Sequence, residues 1–282
     1  MMNLELINSF YPILLQGLIY SFVVMGIYIS SRVIQFDDLT TEGSFGLGGA
    51  LSAALISIGI SSWLTLPFSM IGGALAGLIT GLLHIKMKLN NLICGLIVTT
   101  ALFSLCLKGA GSNLSIHEKT TIFVSDYPSI LILGFLVGVA FWSLKLLLHS
   151  EVGLLLRSLG SNSQMLLNLG KSVDWYKILG LMIANSFIAI GGSLFVQLNG
   201  YFSIFGNIGT LVIGLTGLIL AELIKPVFGI ALILGAVLYQ ALFALTIEIG
   251  LDPVWNNLVK AVLIVLLIQL KNIKKQRVAC LK

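Results

Sequence analysis

Leu211-Val212-Ile213-Gly214-Leu215-Thr216-Gly217-Leu218-Ile219-Leu220 runs for ten residues without alternating polar and apolar side chains. A strand of a membrane barrel alternates lumen-facing and lipid-facing positions, so this stretch reads as helix. In hydrocarbon every backbone amide needs a partner within the chain, and a helix supplies one. Runs of the same kind recur on both sides of it. Of 282 residues, 57% are hydrophobic and 10% charged, and the mean hydropathy is +1.05. A soluble domain of this length carries far more charge. At roughly 20 apolar residues per crossing, spans fall near 10–31, 43–60, 64–83, 91–108, 129–149, 178–198, 206–223, 227–248 and 257–270. All five prolines (Pro12, Pro67, Pro128, Pro226, Pro253) lie at or near span ends, where the missing amide hydrogen is least costly. The expected fold is all-α: a polytopic membrane bundle of about 8–10 helices forming one domain, residues 1–282.

The first span lacks a basic leader and a small-residue cleavage site, so it is expected to be retained. Basic residues concentrate in Lys86/Lys88, the stretch Lys145 to Lys177, Lys225 and the tail Lys271 to Lys282. The positive-inside rule makes these connections cytosolic, with the N-terminus outside and the C-terminus inside. The net charge of +5 is therefore a matter of membrane topology and gives no reason to expect nucleic acid. Cys94, Cys106 and Cys280 show neither paired nor metal-type spacing, and His84, His117 and His149 are scattered, so no metal site and no catalytic constellation is expected. Gly170-Lys171-Ser172 looks like the end of a phosphate-binding loop. Met165 stands where the motif needs glycine, and no strand precedes it. Any ATP use must belong to a partner.

Glycines at four-residue spacing occur at Gly73, Gly77 and Gly81 and again at Gly134 and Gly138. Small residues at this interval let helix backbones approach closely, within one chain or between chains. Two span-like segments combine glycine with polar residues: Glu42 to Leu55, and the stretch from Gly206 and Asn207 through Thr210 to Gly217. Broken helices in corresponding halves often line a transport pathway.

Two interruptions carry chemical potential. In the first, Phe36-Asp37-Asp38-Leu39-Thr40-Thr41-Glu42-Gly43-Ser44-Phe45-Gly46, three carboxylates fall within six residues beside hydroxyls. Carboxylates at membrane depth usually face a cavity. The same stretch also reads as a cytosolic hairpin, with Asp37 and Asp38 solvated and Thr41 capping the next helix. Glu42 lies nearest the apolar run. The second interruption, Gly153 to Asp174, lies on the basic side. Ser161 or Ser163 is placed to cap a short helix that Gly170 stops, with Met165, Leu166 and Leu169 on one face. Two turns of helix are marginal alone and need a surface to dock on, either a cytosolic partner or the membrane.

At these segments the chain resembles permease subunits of ATP-binding-cassette importers, in the family of branched-chain amino acid and ribose permeases, closest to tryptophan/tyrosine-type members. The carrying residues are Phe36 to Phe45, Gly48-Gly49-Ala50, Asn90 to Ile97, and the Gly153–Gly170 stretch with Gly160, Asn162 and Leu169-Gly170. The resemblance implies a homodimer with two ATPase subunits, which bind the ATP and Mg, in a bacterial inner membrane. An extracytoplasmic binding protein would deliver a small polar solute, an amino acid. Asp38, Thr40, Thr41, Glu42 and Ser44 would belong to a broken second helix on the pathway, with Asn207 and Thr210 in the second glycine-rich segment. Residues 153–174, with Arg157, Gly160, Ser161, Asn162, Met165, Leu166, Leu169 and Gly170, would form the ATPase-coupling loop. The alternatives are a stand-alone channel or secondary transporter, or a membrane scaffold that moves no solute.

Overall fold

A computed structural model describes residues 2–117, 119, 121–123, 128–224, 229–248, 258, 261–262, 264–269 and 271. Among them are ten α-helices and one two-stranded sheet. Helix α1 (Met2–Ile27) continues into a π-helical turn, Tyr28–Val33. It is followed by α2 (Thr41–Ser57), α3 (Ser62–Lys86) and α4 (Asn91–Ala110). Strand β1 (Asn113–Ser115) leads to α5 (Ser129–His149), α6 (Glu151–Ser161), α7 (Ser163–Asn168) and α8 (Val173–Asn199). Strand β2 (Tyr201–Ser203) and a 3-10 turn (Ile204–Asn207) precede α9 (Thr210–Ile224) and α10 (Ala231–Glu248). Six helical stretches among the described residues are long and apolar enough to cross a membrane, and α10 adds a shorter apolar run. The protein is a polytopic helical membrane bundle. Of the ninth expected span, 257–270, the described residues 258, 261–262 and 264–269 are helical.

Helix α8 is the hub, packed on α3, α2 and α1. Its neighbours reach it through glycine. A methyl built on Gly73 or Gly77 would lie 2.3 Å from the carbonyl oxygen of Asn185 or Leu181 on α8. Gly192 of α8 leaves only 1.9 Å to the Phe45 carbonyl of α2. Close approach of this kind replaces the hydrophobic drive that lipid cannot provide. Gly134 and Gly138 behave differently. Nothing lies within 4 Å of a methyl built on either, so they make no close packing within this chain among the described residues. Helix α5 rests on α1 and α6 and presents large apolar side chains such as Phe135 and Trp142 outward.

Contacts fix the two ends of the bundle. After α4 and α8, β1 and β2 pair antiparallel, with Leu114 opposite Phe202. At the other end Arg32 Nε lies 2.5 Å from Glu222 Oε1, and Lys271 pairs with Glu222 Oε2. The ends of α1, α9 and the C-terminal helical residues therefore share one side.

Candidate functional site

The second span begins deep inside the bundle. Thr99, midway along α4, donates its hydroxyl to the Leu39 carbonyl at 2.9 Å, and a methyl on Gly95 would meet Leu39 Cβ at 2.8 Å. Helix α2 therefore starts level with the middle of α4, as a broken span does. At 17 residues it extends only about 25 Å. The break between residues 34 and 40 is non-helical backbone at membrane depth, tolerable only where protein or a water-filled cavity covers it.

Protein covers most of it. Asp38 is 5% exposed and fully engaged. Its Oδ1 accepts from the Thr40 amide at 2.8 Å and its Oδ2 from Asn185 Nδ2 at 2.7 Å. Ser44 donates to Asn185 Oδ1 at 2.6 Å. The Thr40 and Thr80 hydroxyls meet at 2.8 Å, and Thr80 donates on to the Ala76 carbonyl. This knot joins α2, α3 and α8 through side chains alone. Asp37, by contrast, is exposed. The hairpin alternative, with both aspartates solvated, therefore fails for Asp38. Thr41 is buried and donates to the Asp38 carbonyl at 3.2 Å rather than capping α2. Thr41 is already the first residue inside α2, and Thr40, which holds the capping position, makes no side-chain cap bond.

Glu42 sits apart from the knot, half-buried on the first turn of α2. Its Oε1 accepts from the Gly209 amide at 2.9 Å, immediately before α9. One carboxylate thus bridges the N-terminal ends of two helices, α2 and α9. Both ends carry partial positive charge from unpaired amides. Glu42, Gly43, Gly46, Thr99, Phe103, Cys106, Ile204, Asn207 and Ile208 line a cleft of about 50 Å³, room for a water or two. Asn207 lines it directly, its amide 2.8 Å from a methyl built on Gly46. Thr210 is buried and donates back to the Asn207 carbonyl at 2.8 Å. Of the expected pathway residues, Glu42 and Asn207 border open space. Asp38, Thr40, Thr41, Ser44 and Thr210 are enclosed.

Sequence reasoning passed over several partners. Asn185 and Gln197 are lone amides within one apolar span, and such residues commonly hydrogen-bond across membrane helices. Gln197 Nε2 donates to Thr65 Oγ1 at 2.9 Å and lies 3.2 Å from Ser52 Oγ, making a second polar cluster among α2, α3 and α8. On the exposed face of α4, Thr100, Ser104 and Lys108 follow one another at four-residue intervals.

The basic-side loop folds as two helices at an angle. Ser150 caps α6, accepting from the Gly153 amide at 3.3 Å. Asn162 caps α7, accepting from the Gln164 amide at 3.1 Å. Ser161 is the last residue of α6, so neither it nor Ser163 is the cap. Asn162 alone stands between the two helices in extended backbone, where its side-chain oxygen reaches the free amide two residues on, whereas Ser161 and Ser163 are already helical. Gly170 ends the unit at φ +68°, as expected of glycine in that conformation. Met165, Leu167 and Leu169 are each more than half exposed, whereas Leu166 is fully buried. The expected common face of Met165, Leu166 and Leu169 therefore splits: Leu166 anchors α7 to the core and the others point away. Arg157 is exposed. Gly160 is half-buried and turned inward against the end of α1.

Residues 9–268 match the family model described as branched-chain amino acid transport system / permease component. The chain belongs to that permease family. It is 34% identical over 260 residues to the tyrosine transport system permease protein of Clostridioides difficile (strain R20291), covering 90% of this chain and 88% of that one. It is 30% identical over 286 residues to an uncharacterised protein of Rickettsia prowazekii (strain Madrid E), covering 93% and 96%. No solved structure matches this permease. It is a multi-pass membrane component of a transport system, and that system has other components.

Proposed function

We propose that this permease is the membrane subunit of an ATP-driven amino acid importer in a bacterial inner membrane, with its N-terminus outside and its C-terminus in the cytosol. The observation that carries this reading is α7. Six residues of helix hang from α6 with Met165, Leu167 and Leu169 turned outward, at the end that bears Lys171, Arg157 and Lys145. A helix this short gains little by itself, and apolar side chains in that position fit the cleft of a docked ATPase. Two copies would form the pathway and each would dock one ATPase subunit, which binds ATP and Mg. A binding protein on the outer side would deliver substrate. The Clostridioides difficile relative supports an aromatic amino acid as cargo. Glu42, on the open cleft between the α2 and α9 ends, would meet the substrate ammonium, and Asn207 would hydrogen-bond beside it.

The test is a mild-detergent pull-down of the tagged chain from its native membrane, followed by mass spectrometry. A stoichiometric ATPase together with a binding protein is the expected result. A chain that emerges alone and still carries solute in vesicles would replace this reading with that of a secondary carrier.

A further inference from the structure

The junction between α6 and the start of the break is made of backbone. A methyl built on Gly160 would lie 2.1 Å from the Val33 carbonyl oxygen and 3.4 Å from Gln35 Cγ. Across the same corner, a methyl on Gly180 of α8 would lie 2.8 Å from Ile34 Cγ2 and 3.2 Å from Leu156 Cδ2 of α6. The corner is thus clasped from both sides without a compliant side chain at either glycine. Its own geometry is unusual. The π-helical turn closes through the Ile34 amide to the Ile29 carbonyl at 3.0 Å and the Phe36 amide to the Ser30 carbonyl at 2.8 Å. Between those bonds Gln35 is exposed, with φ +53°. π-helical turns and left-handed non-glycine residues concentrate at sites that switch, where a strained backbone has a second well to move into. One residue on, Phe36 is buried edge-on against His84, with ring centroids 5.2 Å apart. Two further residues lead to Asp38 in the polar knot, and four more to Glu42.

We propose that Gly160 and Gln35 are positioning residues that transmit movement of the α6–α7 hairpin to Glu42 and its cleft. Displacing α6 pushes directly on the Val33 peptide, and Gln35 is the joint at which the corner turns. Phe36 and Asp38 then carry the turn to the first residues of α2. The inference rests on the importer reading given above, because something must move α7. It goes further in assigning the route and the joint.

Gln35→Gly separates this role from a packing role. Glycine populates both signs of φ about equally, so the joint loses its defined setting while nothing is added to the clasp. Gln35→Asn is the conservative rescue, since asparagine tolerates the left-handed region. Gly160→Ala obstructs the clasp itself. The reporter is E42C in a chain lacking Cys94, Cys106 and Cys280, co-reconstituted with its ATPase and labelled with a small hydrophilic thiol reagent with and without trapped ATP. Transport is measured separately in chains that keep Glu42. In the parent the labelling rate should change about 5-fold or more with nucleotide, the usual scale of coupling between two sites. In Q35G and G160A that ratio should fall to near one and transport should stop, with the ATPase still bound in parental stoichiometry and hydrolysing ATP. Q35N should keep the parental ratio. A parental ratio and parental transport in both Q35G and G160A would overturn the proposal, as would loss of ATPase binding in Q35G. Failure of the importer reading would show elsewhere, in a parent that binds no ATPase.

Discussion

The start of α2 and the α7 hairpin end invert the same rule in opposite directions. The first is polar and buried; the second is apolar and exposed. Asp38, Thr40 and Ser44 lie where a bilayer surrounds the bundle, and each hydrogen-bonding atom described there is answered by another inside the protein. Nothing in that knot asks for a partner from outside. Met165, Leu167 and Leu169 lie beyond the membrane spans and present side chains that water does not favour. Internal satisfaction marks a structural device, and exposed apolar surface beyond the spans is what the proposed ATPase contact would cover. Reading polarity alone would have exchanged the two roles.

The contrast can be pressed hardest at two leucines three residues apart. Leu166 is fully buried in the main core cluster, so Leu166→Ala should lower stability by about 2–5 kcal/mol, seen as a fall in the thermal midpoint of the purified protein. A midpoint within error of the parent would mean that α7 is not anchored as described. Asp38→Ala comes next. It leaves the Asn185 amide and the Thr40 amide without their acceptor in a buried place, which should cost about 2–3 kcal/mol. If the variant were as stable as the parent, water would have to reach the knot, and the comparison with α7 would collapse.

Leu169→Asp tests the exposed half. The protein should melt as the parent does, while ATPase binding weakens at least tenfold, about 1.4 kcal/mol or more. Undiminished co-purification of the ATPase would place the docking surface elsewhere. The smallest effect belongs to Arg32→Ala. The Arg32–Glu222 pair is partly exposed and Lys271 also serves Glu222, so the loss should stay below about 1 kcal/mol and shrink further in high salt. A larger loss would show that this end of the bundle is drier than its exposure suggests.

The bundle itself was readable because apolar length bears directly on helices in lipid; proline position was a weaker guide, since Pro12 lies within α1 and Pro67 within α3. The break after residue 33 was visible as three acids beside glycine. The partner of Asp38 was not, because Asn185 stands 147 residues away and no local pattern couples them. Thr80 was hidden for the same reason. Asn162 was open to discovery: it precedes a short helix as serine would, but two serines flanking it drew the assignment. The π-helical turn left no mark, since Tyr28 to Val33 has the composition of an ordinary helix end. Gly160 was expected in the coupling loop, but that it faces the Val33 carbonyl depends on how α6 lies against the π-helical turn, which no local pattern shows. The close spacing of Gly134 and Gly138 shows the converse. A pattern that permits close packing does not require it within one chain.

The Arg32–Glu222 contact also bears on how the protein is made. The two residues are 190 positions apart, and α1 finds its neighbours on α5, α8, α9 and α10, the last two made only at the end. A ribosome adding about 5–20 residues per second needs roughly 10–40 s to travel from one to the other. During that interval α1 gains α5 and α8 but still lacks α9 and α10, and its guanidinium awaits a carboxylate not yet synthesised. The bundle is therefore closed by its last segments around its first, and a nascent chain cut short before Glu222 leaves Arg32 unpaired and the α9–α10 side of α1 uncovered, a natural target for membrane quality control.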